Sequence, residues 1–216
     1  MNDILVKIDS LDTLLVSPNK TSYVMKDANF SIKKGSSIGI IGESGSGKTE
    51  LFKTITGTQR MIPGITNGSV TYYLNNNKEH SVYYKSKDKY YINKNHEKIK
   101  KELIGFIPQD PKSFLNPYWT IEQIFKETYI MKKRDITLDQ FISFYLNQVD
   151  IDFKKYKHKR PNQLSGGEAQ RIMVSFVLSK EPQLIIADES STGLDVTRQR
   201  TVIDTFKKIR VSNPEI

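Results

Sequence analysis

The sequence predicts an α/β fold. Three observations carry that prediction. A short apolar run, Ser37–Ile41, leads into a glycine-rich loop and then a segment able to form a helix. A second apolar run, Gln183–Ala187, ends in two acids and reads as a buried strand of the parallel-sheet kind. Between and before them lie stretches of period-two alternation, the mark of half-buried antiparallel strands.

In chain order, residues 3–16 place Ile4, Val6 and Ile8, then Leu14 and Val16, in alternation, and predict strand. Residues 17–21 (SPNKT) predict a turn, and Val24–Ile32 a second strand with Phe30 and Ile32 on one face. Thr49–Thr56 predicts a helix, and Val70, Tyr72 and Leu74 predict an antiparallel piece within residues 64–84. Helical spacing runs through residues 118–148 (Ile121, Ile124, Phe125; Phe141, Phe144, Tyr145), and Glu168–Leu178 predicts another helix. Thr197–Arg210 predicts an amphipathic helix with Val202, Phe206 and Ile209 on one side. Strand–loop–helix units at both ends are the grammar of an α/β core.

The chain has 216 residues, enough for one domain with a smaller lobe, and 37% hydrophobic residues, enough for a core. It has no cysteine, which excludes disulfides and thiolate metal sites. His80, His96 and His158 are scattered and read as surface histidines. The net charge is +9, concentrated in Lys85–Lys101 and Lys154–Arg160. The first of these reads as a solvated lysine-rich surface, with an electrostatic lean toward a membrane face as the second reading. Apolar runs are only a few residues long, far short of the roughly 20 a membrane span needs. Asp3, Asp9 and Asp12 interrupt the start, unlike a signal peptide. The expectation is a soluble cytoplasmic protein that reaches a membrane only through a partner.

Gly42-Glu43-Ser44-Gly45-Ser46-Gly47-Lys48-Thr49 fits G-x-x-x-x-G-K-[ST] between a predicted strand and a predicted helix. Its glycines let several backbone N–H groups converge at a helix start, an anion site. Lys48 can reach β- and γ-phosphates, and Thr49 offers a hydroxyl to Mg²⁺. Asp188 and Glu189 follow the apolar run, at the strand end where ligands sit in parallel sheets. Asp188 would help hold Mg²⁺ and Glu189 would polarise a water, which argues for hydrolysis.

Leu164-Ser165-Gly166-Gly167-Glu168-Ala169-Gln170-Arg171 resembles the signature of ABC ATPases. Phe106-Ile107-Pro108-Gln109-Asp110 resembles their Q-loop, and Thr192-Gly193-Leu194-Asp195 their D-loop, all in the family's order. Over about residues 4–210 the chain is thus similar to ABC ATPases. The resemblance implies a P-loop NTPase core with an N-terminal antiparallel β subdomain and an inserted α-helical subdomain. It implies one domain over 1–216, with 1–109 and 166–216 as nucleotide-binding core and β subdomain and 110–165 as the helical subdomain, where permeases dock. It assigns catalysis to Glu189, Gln109 and Lys48, and metal binding to Thr49, Gln109 and Asp188. Nucleotide contacts fall to Gly42, Glu43, Ser44, Gly45, Ser46, Gly47, Lys48, Thr49, Ser165, Gly166, Gly167 and Asp195. The implied cofactors are ATP and Mg²⁺. Implied partners are a second, identical or paralogous ATPase subunit docked head to tail, transmembrane permeases and, indirectly, an extracytoplasmic solute-binding protein. No nucleic acid is expected, and the place is the inner face of the cell membrane.

Asp110-Pro111-Lys112-Ser113-Phe114-Leu115-Asn116-Pro117 and Gly64-Ile65-Thr66-Asn67-Gly68 resemble the oligopeptide, dipeptide and nickel importer ATPases. That implies uptake of peptides or of nickel or another metal complex. Departures are also visible. Family members continue past the point matching Ile216 into a strand ending in a switch histidine, so the chain is expected to be C-terminally truncated. Leu15, with Tyr23 as the alternative, stands where an aromatic residue usually stacks on adenine. Ser190 replaces a usual proline, and Lys85–Lys101 falls where importer relatives are shorter. Two alternatives stand beside the importer motor: a subunit that binds nucleotide without hydrolysing it and pairs with another ATPase, and a non-transport ABC ATPase acting on nucleic acid.

Overall fold

The computed structural model describes residues 3–17, 20–43, 45–59, 63–74, 78–132 and 134–188, with positions 207, 211 and 216. The chain divides into two units, Met1–Lys101 and Glu102–Ile216. Thr197–Arg210, apart from Lys207, lies outside the described residues.

In the first unit, β1 (Ile4–Ser17) pairs antiparallel with β2 (Lys20–Lys33) and with β3 (Pro63–Leu74). β4 (Lys78–Ser81) extends β3, giving the order β2-β1-β3-β4. The predicted alternation holds only around Val6–Ile8, since Leu5 is buried beside Val6 and Ile4 only half-buried, at a register shift between Ile4 and Val6. Val6 and Ile8 are buried, but the register then shifts between Ile8 and Leu11, at a Ser10 with φ 46°. An extra residue in one strand reverses which side chains face inward. Leu11 and Thr13 are therefore buried. Two further shifts lie between Leu11 and Leu14, and beyond them Leu15 and Val16 are both exposed, which corrects the inward face expected at Leu14 and Val16.

A second correction concerns Ser37–Ile41. No strand forms there, and Ile38 and Ile41 are exposed, Ile41 almost completely. An apolar run becomes a strand only when a neighbour takes up its N–H and C=O groups.

Helix α1 (Lys48–Ile55) follows the glycine-rich loop. Its C-terminal end is held by side chains from three later segments. Tyr83 donates its hydroxyl to the Thr54 carbonyl at 2.8 Å, and Tyr72 donates to Ile55 at 2.9 Å. His96 Nε2 lies 3.0 Å from the Thr56 carbonyl oxygen. Carbonyls at a helix end lack intrahelical donors, so these contacts satisfy them inside the core. Tyr83 belongs to a hairpin, β5 (Tyr83–Ser86) and β6 (Lys89–Ile92), and His96 opens α2 (His96–Leu103).

The surface reading fails for His80 and His96 and holds for His158. His96 is fully buried, and its Nδ1 lies 3.3 Å from His80 Nε2 with the rings stacked. The carbonyl of Thr56 can only accept, so His96 donates from Nε2 and accepts at Nδ1 from His80. Burial lowers the pKa of both rings. In His80 the neighbouring His96 adds to the effect, and in His96 the Thr56 bond partly opposes it. The unfolded chain therefore takes up these protons first as pH falls. Stability from this pair is complete above the unfolded value of about 6.5 and declines below it until the folded pKa values are passed. The expected result is a lower melting temperature at about pH 5.5 than at about pH 7.5, with a shallower drop in His80→Gln.

In the second unit, β7 (Ile104–Ile107) and β8 (Leu184–Ala187) pair in parallel, as expected of the buried run. The short helix α3 (Pro111–Phe114) follows β7 and is capped by the Asp110 carboxylate. Helices α4 (Ile121–Lys132), α5 (Leu138–Asn147), α6 (Phe153–Tyr156) and α7 (Gly166–Ser179) follow. The spacing read at residues 118–148 reappears as the buried faces of α4 and α5, where Phe125, Phe141 and Ile142 meet Ile172 and Val174 of α7 in one core; Phe144, read as part of that spacing, is exposed instead.

Candidate nucleotide-binding site

The described site residues fall in three places, one in the first unit and two in the second. The first is the loop 42–49. Lys48, the first residue of α1, folds its side chain back over the loop. Its Nζ donates to the carbonyl oxygens of Gly42 and Glu43, each at 2.6 Å. Ser46 N donates to Glu43 O at 3.2 Å, closing the turn. Gly47 caps α1 with φ 93°, and a Cβ there would come within 3.0 Å of the Val24 carbonyl oxygen. Left-handed backbone and close strand approach together require glycine. No side chain caps the start of α1, and Lys48 is held only by exposed carbonyls and the Ser46 hydroxyl, contacts an anion can replace. Ser44 lies outside the described residues.

Leu15 and Tyr23 sit on the paired strands β1 and β2, opposite Ser22 and Leu14 respectively, and both are exposed. Tyr23 adjoins Val24, the residue that packs against Gly47.

The second cluster lies where the parallel strands of the second unit end. Ile107 pairs with Ala187, and Asp188 N donates to Ile107 O at 3.0 Å, so the ladder runs one residue beyond β8. Asp188 and Gln109 thus emerge at the same carboxyl edge, the ligand-bearing edge of parallel sheets. Glu189 and Asp195 lie outside the described residues.

Ser165, Gly166 and Gly167 form the start of α7, with Ser165 as N-cap. Ser165 Oγ accepts from Glu168 N at 3.2 Å, and Glu168 Oε2 accepts from Ser165 N at 2.7 Å. This is a capping box, and its S-x-x-E spacing is legible at 165–168. One residue of the arrangement escaped sequence reading. Tyr156 donates its hydroxyl to Glu168 Oε1 at 2.6 Å. That bond and the Ser165 N–H hold the Glu168 carboxyl down at about 2. A carboxyl with a lowered pKa stabilises the fold above its ordinary value and loses that contribution as pH falls toward 2. Tyr156→Phe is expected to raise the Glu168 pKa and to cost about 1 kcal/mol of stability. An NMR titration of Glu168, paired with melting curves, checks both; a carboxyl still near 2 would remove Tyr156 from the cap.

The family model for ABC transporters matches residues 25–192, most of the chain. The chain belongs to the ABC transporter family. Among curated relatives, the oligopeptide transport ATP-binding protein OppD of Escherichia coli is 29% identical over 214 residues, spanning 96% of this chain and 59% of that protein. AppD of Bacillus subtilis, also an oligopeptide transport ATP-binding protein, is 31% identical over 218 residues, covering 95% of this chain and 60% of that one. The chain thus spans about three fifths of the length of these relatives. Solved cassettes share the fold. The dimeric post-hydrolysis cassette MJ0796 bound to ADP and Pi gives a TM-score of 0.73 at 24% identity, over 98% of this chain and 85% of that one. CbiO1 from Clostridium perfringens, part of the transporter complex cbiONQ, gives 0.75 at 22%, over 99% and 76%. The α/β ABC cassette expected from the motifs is the fold found. Among the described residues of this ABC protein, no helix is long and apolar enough to cross a membrane.

Proposed function

We propose that this chain binds and hydrolyses ATP as the motor subunit of an importer for oligopeptides, docked through permeases at the inner face of a membrane. The observation that carries this is the 42–49 loop, with Lys48 folded over it at the start of α1. The names of the curated relatives support peptides as cargo over nickel complexes.

In this reading Lys48 leaves the Gly42 and Glu43 carbonyls to meet the β- and γ-phosphates, while the amides of Gly45, Ser46 and Gly47, with Ser44, wrap the chain of phosphates. Tyr23 offers a ring to the adenine. Thr49, Gln109 and Asp188 are all oxygen donors, a set that fits a hard cation such as Mg²⁺. When bound, Mg²⁺ neutralises charge that develops on the phosphate oxygens. Glu189 accepts a proton from the attacking water, and Gln109 orients that water. Ser165, Gly166 and Gly167 present the α7 start to the nucleotide of a second subunit, with Asp195 at the shared interface. An N-cap already locked by Glu168 and Tyr156 needs no rearrangement to do so, which lowers the cost of closing.

The deciding experiment is ATP hydrolysis against protein concentration, with Lys48→Ala as control. A Lys48-dependent rate that climbs faster than linearly supports the head-to-tail site. Tight Mg-ATP binding with no turnover, alone or with added permeases, would instead favour the nucleotide-binding, hydrolysis-deficient subunit.

A further inference from the structure

The lysine-rich stretch 85–101 plays no part in the chemistry above, yet its structure is specific. It carries seven lysines against Asp88 and Glu97, and so +5 of the chain's +9. Its first part is the β5–β6 hairpin, in which Tyr84 pairs with Tyr91 and Ser86 with Lys89. Lys87 and Asp88 at the tip have φ 47° and 60°, the backbone of the tight turn that keeps a two-stranded hairpin in register.

The two faces of the hairpin differ in kind. Alternation turns Tyr83 and Ile92 inward, and Tyr83 is anchored in the core through Thr54. The other face carries Tyr84, Tyr91 and Lys89. The two tyrosine rings stack at 5.6 Å and both remain more than 40% exposed, at 46% and 44%. Lys87 at the tip and Lys94 beyond β6 are exposed as well, whereas Lys85 lies on the Tyr83 face, over the Tyr90 ring and paired with Asp88. Exposed aromatic rings cost free energy in water. Rings with a polar tip, set among cations, suit the boundary between lipid headgroups and acyl chains.

We propose that the outward face of the β5–β6 hairpin is a docking surface for an anionic membrane. Charge complementarity selects an anionic partner. Both tyrosine rings stay exposed, and an aromatic body with a polar hydroxyl tip suits the headgroup boundary. The choice of a lipid surface rests on the membrane-transport reading given above. Each lysine near an anionic surface strengthens attachment severalfold, and the hairpin gathers several on one short element.

The test is flotation of the whole chain with vesicles of phosphatidylcholine, with and without phosphatidylglycerol. The expected result is capture by the phosphatidylglycerol vesicles only, weakened by salt. Lys87→Glu with Lys89→Glu is expected to lower that affinity by roughly tenfold or more. Lys154→Glu with Lys155→Glu, the same charge change in the other basic stretch, is expected to leave most of it. Equal capture by neutral vesicles, no capture, equal loss in both double variants, or tighter binding of a single-stranded oligonucleotide each overturns the proposal. Lys48-dependent ATP binding, measured on the same proteins, confirms that the variants fold. It also separates the two readings: lipid capture without ATP binding sinks the motor function, and ATP binding without lipid capture sinks only the hairpin.

Discussion

Replacing Lys48 by alanine is expected to lower ATP affinity by at least about tenfold, or about 1.4 kcal/mol, while the protein keeps its melting temperature nearly unchanged. The separation of the two effects follows from where the lysine is spent. In the structure its ammonium donates to Gly42 O, Glu43 O and the Ser46 hydroxyl, all in an exposed loop. Water can replace the lysine at each of them, so stability changes by no more than about 0.5 kcal/mol. With nucleotide present the same ammonium would face two phosphate groups, and no water carries a positive charge to replace it. Titration with a fluorescent ATP analogue, alongside thermal melts, reads both quantities. Unchanged affinity would show that the loop amides alone hold the phosphates. A large melting shift would show that the lysine is a structural clasp and not a ligand.

The phosphate loop was legible because its chemistry is contiguous. Glycines, lysine and hydroxyl stand within eight residues, and the helix they open begins where the motif says, at Lys48. The same holds for Ser165–Glu168, where a capping box is a property of four consecutive residues. Features made by distant residues were not legible. Nothing in the spacing of Tyr156 and Glu168 announces a bond between a short helix and the next long one. His80 and His96 looked like isolated polar residues, because burial of a pair depends on which strand and helix meet. The inward face of β1 departs from simple alternation beyond Ile8 because successive register shifts against β2 reset parity, and no composition signal marks them. The Ser37–Ile41 run shows the general limit. Apolar, β-branched residues raise the odds of a strand, but a strand is a property of a pair.

The two ends of α1 are built for different purposes. Its N-terminal end carries Lys48 and Thr49 and has no side-chain cap. Its C-terminal end is closed by Tyr72, Tyr83 and His96, each buried and each spent on one carbonyl. Burial raises the pKa of both tyrosines, so their hydroxyls remain donors well beyond neutral pH. A helix of only eight residues is marginal by itself. Fixing one end in the core is what allows the other to stay open and still be placed.

Gly57→Ala is expected to be the most destabilising single substitution at that closed end, costing about 2–4 kcal/mol. Gly57 has φ +64°, a conformation that a side chain makes unfavourable by about 1 kcal/mol. The larger part is steric. A Cβ at Gly57 would overlap the His96 ring at Cδ2 and lie 2.7 Å from Nε2, with Val82 Cγ1 at 3.1 Å behind. His96 is fully buried and bonded at both nitrogens, so the ring has no vacant direction to move. Shifting it breaks the bond to Thr56 and the stack with His80, leaving a buried carbonyl without a donor. Urea unfolding of Gly57→Ala, His96→Ala and the double variant isolates this contact. If the overlap is the cause, removing the ring removes it, and the double variant is more stable than the sum of the singles by about 1 kcal/mol or more. Strict additivity would place the whole cost in the backbone of residue 57 and release His96 from any part in it.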